Sequence, residues 1–291
     1  MPLFEIHNWP SSNELLKVAA WGKSGLQTKF DDRSAQQMTA LLLEALLSKP
    51  YFKLKLENTL LSEPELIRFK HQLNRIYDGE ALQYVTSKAH FFDLELFVAP
   101  GVLIPRPETE ELVVLAESLS PKNARIIDLG TGSGCIALAL KHRNHGMEVL
   151  AADVSPEALS IAQKNKKQLS LNLELFQFDM LSEEKLPGKF NAILSNPPYI
   201  PEHEKRDMPA HVTNQEPALA LFVPNEDPLL FYKALSRLAR QYLLPNGVLV
   251  VEIHEDFAQD VKGTFLDIGL SEVKIHKDLQ GKDRMVSAVN G

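Results

Sequence analysis

The chain has 291 residues, of which 44% are hydrophobic and 24% are charged, and it contains one cysteine, Cys135. This composition excludes a disordered, collagen-like or disulfide-stapled chain, and no stretch approaches the ~18–20 uninterrupted apolar residues that span a bilayer. Residues 1–90 carry 11 Lys and Arg against 10 Asp and Glu (net +1), and residues 91–291 carry 20 against 28 (net −8). A binder of naked nucleic acid is usually basic, and the N-terminus lacks a signal-peptide pattern. We therefore expect a cytoplasmic protein without membrane or direct nucleic-acid contacts. A monomer is our expectation for the oligomeric state, which the sequence itself does not determine.

The first 80 residues carry helical patterns. Between Ser34 and Ser48, apolar residues recur at the spacing of one wide helix face. The run Ser62-Glu63-Pro64-Glu65 has the pattern of a capping box, and Gly79 follows the next apolar stretch as a stop signal. Short helices of this kind need a common core to pack on. Residues 1–80 are therefore predicted to form a small helical domain.

Residues 81–105 change to a strand-like pattern. Tyr84-Val85-Thr86 and Phe91–Val98 alternate in polarity and are rich in β-forming residues. Pro100-Gly101 and Pro105-Arg106-Pro107 mark turns after them. The pattern predicts a β-hairpin linker in which Tyr84-Val85-Thr86 belongs to a strand.

Residues 106–291 alternate between helix-like and strand-like patterns. Such alternation builds right-handed β-α-β units with a mainly parallel sheet. We expect an α/β domain with a doubly wound, Rossmann-like sheet of seven strands, which binds its ligand at the carboxyl ends of the strands. The segments predicted as strands are Arg125–Leu129, Val149–Ala152, Leu173–Phe178, Phe190–Leu194, Gly247–Ile253, Glu272–His276 and Met285–Val289.

A glycine-rich turn follows the first of these strands. Gly130-Thr131-Gly132-Ser133-Gly134 leads directly into a predicted helix over residues 135–141, and its glycines let the backbone approach a ligand where a Cβ would clash. The Gly-x-Gly-x-Gly spacing differs from the Gly-x-Gly-x-x-Gly of dinucleotide-binding loops. Asp128, two residues before the first glycine, suits an ammonium group and would repel a pyrophosphate. Both features disfavour a nicotinamide-dependent dehydrogenase.

Acidic residues also end the next two strands. Asp153 lies 19 residues after Gly134, where a carboxylate can accept hydrogen bonds from both hydroxyls of a ribose. The turn, Asp128 and Asp153 together resemble the cofactor site of S-adenosylmethionine-dependent methyltransferases. In that fold Asp179-Met180 would lie near the adenine, and Asp179 is equally well explained as a solvated turn residue.

Ser195-Asn196-Pro197-Pro198-Tyr199 follows the fourth strand and is the most specific motif of the chain. The prolines hold the backbone extended and leave its carbonyls free. The Asn196 amide oxygen and the Pro197 carbonyl can together accept both hydrogens of one planar –NH2 group, and Tyr199 offers a flat face for stacking. Positioning of this kind can direct a weakly nucleophilic amide nitrogen at a sulfonium methyl group without a strong base.

The Asn-Pro-Pro-Tyr motif is similar to that of methyltransferases acting on adenine, guanine or glutamine amino groups. The segments Val102–Glu110 and Asp278–Arg284 are similar to segments of the protein-glutamine methyltransferases. Over nearly its whole length the chain resembles the peptide chain release factor glutamine methyltransferases (PrmC/HemK type), although residues 1–80 match in helical character more than in motif. The resemblance implies a class I methyltransferase domain over residues 106–291, with the helical domain 1–80 docking the protein substrate.

The resemblance also implies the reaction. Members of the family methylate the glutamine of the Gly-Gly-Gln motif in class I peptide chain release factors, converting S-adenosyl-L-methionine into S-adenosyl-L-homocysteine. Carried over by position, the cofactor-binding residues are Asp128, Gly130, Thr131, Gly132, Ser133, Gly134, Asp153, Asp179, Met180 and Asn196. The residues that hold the glutamine are Asn196, Pro197, Pro198 and Tyr199, of which Asn196, Pro197 and Tyr199 are assigned to catalysis. No metal is expected.

Several positions depart from the family pattern. Ser87 and Asp93 replace glycines common in the hairpin, and His254 stands where a glycine often follows Glu252-Ile253. The segment Phe222–Pro228 lacks glycines that are usual there. These departures concern loop conformation and substrate fit, and they affect none of the predicted cofactor positions.

Other functions stay open from the sequence. A methyltransferase that modifies a glutamine of a ribosomal protein would share the Asn-Pro-Pro-Tyr site. A nucleic-acid amino-methyltransferase would also share it, but the acidic charge and the lack of a basic recognition domain disfavour this function. A catalytically inactive adaptor is expected to lack Asn196 or Asp153, and both are present. The sequence does not determine which release factor is preferred.

Overall fold

The structure is a computed structural model that describes residues 9–208, 213 and 215–291. The chain divides into two units. The helical unit comprises Met1–Lys88 and Ala210–Gln215, and the sheet unit comprises Ala89–Pro209 and Glu216–Gly291. Within the described residues, no helix has both the length and the apolar character needed to cross a membrane.

The helical unit contains a set of described helices around one apolar core. They are α1 Leu15–Leu26, α2 Asp32–Leu47, α3 Tyr51–Leu56, α4 Glu63–Tyr77 and α5 Leu82–Thr86. Asp31 caps α2 by accepting hydrogen bonds from the backbone N–H groups of Arg33 and Ser34, each at 3.0 Å. The predicted capping box of α4 is confirmed, because Ser62 and Glu65 each bond the other's backbone N–H.

Helices α1 and α4 approach closely at Gly22. A Cβ at this position would lie 3.0 Å from the ring of Phe69, which is itself fully buried. Because protein cores are close-packed, the missing side chain lets the aromatic ring fill the space between the two helices. Leu42 and Leu73 complete this part of the core.

The predicted strand at Tyr84-Val85-Thr86 is wrong, because these residues lie in the short helix α5. Tyr84 and Val85 are buried, and Ser87 ends the helix in the left-handed conformation with φ 57°. Three β-forming residues have only a weak local preference for a strand, and packing beside the helices of this unit outweighs that preference.

The β-hairpin itself is confirmed a few residues further along. Its strands are β1 Lys88–Phe91 and β2 Leu94–Phe97, joined by a turn at Phe92 and Asp93. Phe92 takes a positive φ of 52° in that turn. The side chains of Phe91 and Leu94 pack into the core of the sheet unit.

The sheet unit is built on the predicted seven strands. They are β3 Arg125–Leu129, β4 Glu148–Asp153, β5 Glu174–Gln177, β6 Phe190–Ser195, β9 Leu243–Glu252, β10 Ser271–Lys277 and β11 Asp283–Asn290. Their order is β10-β11-β9-β6-β3-β4-β5. The five strands from β9 to β5 are parallel, and β11 runs antiparallel to both of its neighbours. A separate short parallel pair joins β7 Ile200–Pro201 to β8 Phe222–Val223.

Helices cover both faces of this sheet. They are α6 Pro107–Leu119, α7 Cys135–Arg143, α8 Pro156–Gln168, α9 Ala218–Leu221, α10 Leu230–Tyr242 and α11 Ala258–Asp267. Ile126 packs with the core that contains α6 and α7, and its neighbour Ile127 packs with the core that contains α10 and α11. Strands buried on both faces read as continuous apolar runs, which explains the pattern of β3. Because β3, β4 and β6 are parallel neighbours, the loops that follow them meet at one edge of the sheet.

Candidate active site

A cleft opens at the carboxyl ends of the central parallel strands, within the sheet unit. The predicted site residues that line it are Gly130, Thr131, Gly132, Ser133, Asp153, Asp179, Met180, Asn196 and Pro198. Four further predicted residues, Asp128, Gly134, Pro197 and Tyr199, do not line this cleft. The apolar residues Leu103, Phe178 and Phe231 also line the cleft.

The glycine-rich turn after β3 depends on backbone geometry. Gly130, Gly132 and Gly134 have positive φ values of 73°, 56° and 85°, a region that other residues rarely adopt. The N–H group of Gly130 donates to the carbonyl of Ala152 at 2.9 Å, which ties the turn to β4. At Gly134, the first position before α7, a Cβ would lie 3.0 Å from the Leu138 side chain. Glycines therefore favour this shape of the turn, and at Gly134 a side chain would also clash with Leu138.

Asp128 lies beneath the turn and is fully buried. Its Oδ2 accepts a hydrogen bond from the Thr131 hydroxyl at 2.5 Å, while its Oδ1 has no hydrogen-bond partner among the residues that the structure describes. Burial raises the pKa of Asp128 to about 7, and the nearby charge of Asp153 adds to the rise. A buried carboxylate with one unpaired oxygen is suited to a cationic group.

Asp153 ends β4 at the rim of the cleft. Its Oδ2 accepts from the Gly132 N–H at 2.8 Å and its Oδ1 accepts from the Ser155 N–H at 2.9 Å. Partial burial raises its pKa, and the two backbone hydrogen bonds act against that rise. Each carboxylate oxygen keeps a lone pair, so the side chain is held rigidly and can still accept two further hydrogen bonds.

Asp179 and Met180 follow β5 and line the same cleft. The Asp179 side chain accepts from the Leu181 N–H at 2.8 Å, as expected of a turn residue. The Met180 side chain packs over Gly130, its methyl carbon 3.4 Å from where a Cβ on that glycine would stand. Asp179 therefore has a structural task in its turn and also a position in the cleft.

The loop after β6 is held by hydrogen bonds at both ends. The Ser195 hydroxyl donates to the Leu129 carbonyl at 2.7 Å, which joins the loop to the end of β3. The Asn196 amide nitrogen donates to the Thr109 hydroxyl oxygen at 3.2 Å. The Tyr199 hydroxyl donates to the Glu252 carboxylate at 3.2 Å. Both side-chain contacts reach residues more than fifty positions away in the chain.

Thr109 lines the cleft and Glu252 contacts it from behind, and the sequence-based prediction assigned neither residue to the site. Both are buried, and the Thr109 hydroxyl donates to Glu252 at 2.7 Å. Glu252 is the last residue of β9, so the rule that ligands bind at the carboxyl ends of parallel strands was a signal for it. Thr109 lies in the first turn of α6, where a threonine carries no such signal.

Arg106 is a second missed feature, because its guanidinium lies in the lining of the cleft. It bonds the Glu216 carboxylate at 2.6 Å. Glu216 is buried and also accepts from the Ile104 N–H at 3.3 Å. The buried carboxylate thereby holds the segment that precedes α6 against the chain that precedes α9.

His254, a departure from the family pattern, lies against Tyr199. The two ring centroids are 6.1 Å apart in an edge-on arrangement. The His254 Nε2 is also 3.4 Å from a Glu204 carboxylate oxygen. The substitution therefore adds an aromatic and polar contact behind the Asn-Pro-Pro-Tyr loop.

Cys135 is a packing residue. It is buried in the core that contains α7, and burial raises the pKa of its thiol to about 12. A thiol with this pKa is inert as a nucleophile at neutral pH. Among the described residues, no group of three or more His, Cys, Asp and Glu side chains could hold a metal ion.

Comparisons with known proteins agree with this architecture. Residues 111–216 match the Methyltransferase small domain family. The Pyrococcus furiosus crystal structure described as a methyltransferase superposes with a TM-score of 0.53 at 19% identity, covering 76% of this chain and 98% of that chain. The fold is that of class I methyltransferases, and the family match together with the sequence relatives given next shows an S-adenosylmethionine-dependent methyltransferase.

Sequence relatives identify the family. The release factor glutamine methyltransferase of Bacteroides thetaiotaomicron is 36% identical over 274 residues, which cover 94% of this chain and 99% of the relative. That of Flavobacterium psychrophilum is 36% identical over 267 residues, covering 90% of this chain and 94% of the relative. The chain belongs to the release factor glutamine methyltransferase family.

Proposed function

We propose that this protein methylates the side-chain amide nitrogen of the glutamine in the Gly-Gly-Gln motif of class I peptide chain release factors. Similar chains carry the corresponding name. The observation that carries the proposal is the orientation of Asn196, whose amide nitrogen is engaged by Thr109 at one side of the cleft. The Asn196 Oδ1 is thereby left as an acceptor for a substrate –NH2 group.

S-adenosyl-L-methionine fits the chemistry of the residues that line the cleft and of Asp128, which is buried beneath the glycine-rich turn. Asp128, with its unpaired Oδ1, suits the ammonium group of the methionine part. Asp153 retains lone pairs for the two ribose hydroxyls, and the glycine-rich turn gives the backbone close access. Asp179 and Met180 are assigned to the adenine side. When bound, this cofactor supplies an electrophilic methyl group on a sulfonium.

Asn196 and Pro197 are assigned to hold the glutamine. An amide nitrogen is a weak nucleophile, because its lone pair is delocalised into the carbonyl. Two acceptors, the Asn196 Oδ1 and the Pro197 carbonyl, favour the geometry in which that lone pair is directed away from the amide plane. Tyr199, fixed by Glu252, supports the loop at its other end. In the balanced reaction one N–C bond forms, one C–S bond breaks, and the nitrogen releases one proton to solvent.

The helical unit is proposed to dock the body of the release factor. It carries none of the residues assigned to the cofactor, and it presents exposed apolar side chains. Phe52 and Leu56, one helical turn apart on α3, are 58% and 79% exposed. Exposed apolar side chains that are grouped on one face are typical of protein-binding surfaces.

The experiment is methylation in vitro with cofactor labelled on its methyl group. A purified class I release factor is incubated with the protein, and the label is mapped by mass spectrometry. Label on the glutamine of the Gly-Gly-Gln motif is the expected result. Parallel reactions with ribosomal proteins and with DNA and RNA distinguish the alternatives, and label confined to one of those substrates would contradict the proposed function.

A further inference from the structure

Four side chains behind the cleft form one continuous chain of hydrogen bonds. The Asn196 amide donates to Thr109 at 3.2 Å, Thr109 donates to Glu252 at 2.7 Å, and Tyr199 donates to the other Glu252 oxygen at 3.2 Å. The Glu252 backbone carbonyl also accepts from the Tyr232 hydroxyl at 3.1 Å. All five residues belong to the sheet unit.

Which group donates and which accepts in each of these hydrogen bonds depends on Glu252. An ionised carboxylate can only accept, so both hydroxyls that contact it must donate to it. The Thr109 hydroxyl has a single hydrogen, and once that hydrogen points to Glu252 only lone pairs remain for Asn196. Asn196 must therefore present its –NH2 group to Thr109 and its oxygen to the opposite side.

We propose that Glu252 and Thr109 are positioning residues, which set the orientation of the Asn196 amide so that its oxygen accepts a hydrogen from the substrate. This inference rests on the proposed role of Asn196. In the opposite orientation the –NH2 group would face the substrate –NH2, and two donors would oppose each other. The carboxylate thus acts on the reaction through two intervening side chains.

The charges around Glu252 are consistent with this task. Burial raises its pKa, and the hydrogen bonds from Thr109 and Tyr199 together with the charge of Arg284 act against the rise. Arg284 is itself held by the buried Asp278 at 3.1 Å, which gives the Asp278–Arg284 segment a function in this network. The other ionisable groups that face Glu252 are Glu108, Cys135, Tyr199 and Tyr232.

The test compares Thr109→Val with Thr109→Ser in full-length protein, measured by single-turnover methylation of a release factor. Valine keeps the shape of the threonine side chain and removes its hydroxyl group. We therefore expect kcat to fall about tenfold, which corresponds to the net free energy of one hydrogen bond. Cofactor affinity should stay unchanged, and serine should recover most of the lost turnover. Equal losses for valine and serine would overturn the proposal, because packing would then explain the effect.

Glu252→Gln provides a second measurement that does not depend on Thr109 variants folding. In the wild type, Glu252 is protonated at acid pH. The neutral carboxyl can then donate a hydrogen bond to the Thr109 oxygen, and the hydroxyl hydrogen of Thr109 is free to point toward Asn196. We expect the kcat of the wild type to fall at acid pH as Glu252 is protonated. In Glu252→Gln, kcat should be lower than in the wild type at neutral pH, and this acid-side fall should be absent. An unchanged acid limb in the variant would refute the positioning role.

Asn196→Ala separates the two levels of inference. If Asn196→Ala lowers kcat while Thr109→Val and Glu252→Gln do not, the positioning role is wrong and the proposed function stands. If Asn196→Ala itself has normal turnover, the glutamine-holding role and the positioning role both fail.

Discussion

The two sides of the cleft are built in different ways. The side proposed to bind the cofactor, called the cofactor side below, includes a short continuous segment, residues 128–134, whose backbone takes three positive φ values at glycines. The Asn-Pro-Pro-Tyr side is held by side chains from α6 and from the end of β9, far away in sequence. The conformation of the cofactor side is favoured by its own glycines and supported by hydrogen bonds to the neighbouring strand β4, whereas the side chains of the substrate side are held by residues far away in sequence. Variants of the two sides should fail differently.

The largest effect is expected on the substrate side. Asn196→Ala removes the proposed acceptor, and the loss of one preorganised polar contact of this kind costs about 10²–10³ in turnover. Cofactor affinity should change little, because the contact is to the substrate. Single-turnover methylation and a cofactor titration measure the two quantities. Asn196→Asp, which can still accept, is the matched control and should retain part of the activity.

The cofactor side should show the opposite pattern. Asp153→Ala removes charge-assisted hydrogen bonds that together are worth roughly 1.5–3 kcal/mol, so cofactor affinity should fall about ten- to a hundredfold. Calorimetry measures this directly. Asp179→Ala is the comparison variant, since Asp179 is already used in its own turn, and we expect a smaller loss. Unchanged affinity in Asp153→Ala would refute the ribose assignment.

The helical unit should affect only the intact protein substrate. Replacing Phe52 and Leu56 by serine is expected to raise KM for a release factor about tenfold, the usual scale for interface residues. A short peptide containing Gly-Gly-Gln should be methylated at the wild-type rate. Lys53→Ser, on the same short helix, serves as a surface control. An equal loss with the peptide would show that the change acts on the sheet unit instead of on docking.

The smallest effect concerns the buried Asp128. Its pKa is raised to about 7. Between about pH 4 and pH 7 the carboxyl of the folded state therefore keeps its proton, whereas that of the unfolded chain has released it. Stability from this group is therefore present at low pH and is lost as pH rises through 7. Asp128→Asn should raise the melting temperature of the free protein most at pH 8, by a smaller amount at pH 5, and not at pH 4 or below. A pH-independent difference would contradict the raised pKa.

Much of the fold could be predicted from the sequence. Seven apolar segments became the seven strands of one sheet, and the capping box at Ser62 and Glu65 has the predicted contacts. The error at Tyr84-Val85-Thr86 is informative, because three β-forming residues took a helical conformation once two of them were buried. Short segments have too little local preference to resist such packing.

The site divides in the same way. Local sequence was sufficient for the glycine-rich turn, for Asp153 and for the Asn-Pro-Pro-Tyr loop, because strand ends, glycines and prolines impose their geometry on adjacent residues. Thr109 and Glu252 lie 143 positions apart and meet through one hydrogen bond. No local pattern encodes that meeting. The amide orientation of Asn196 was decided only when the folded sheet brought these two side chains beside it, because hydrogen-bond direction is a property of neighbours in space.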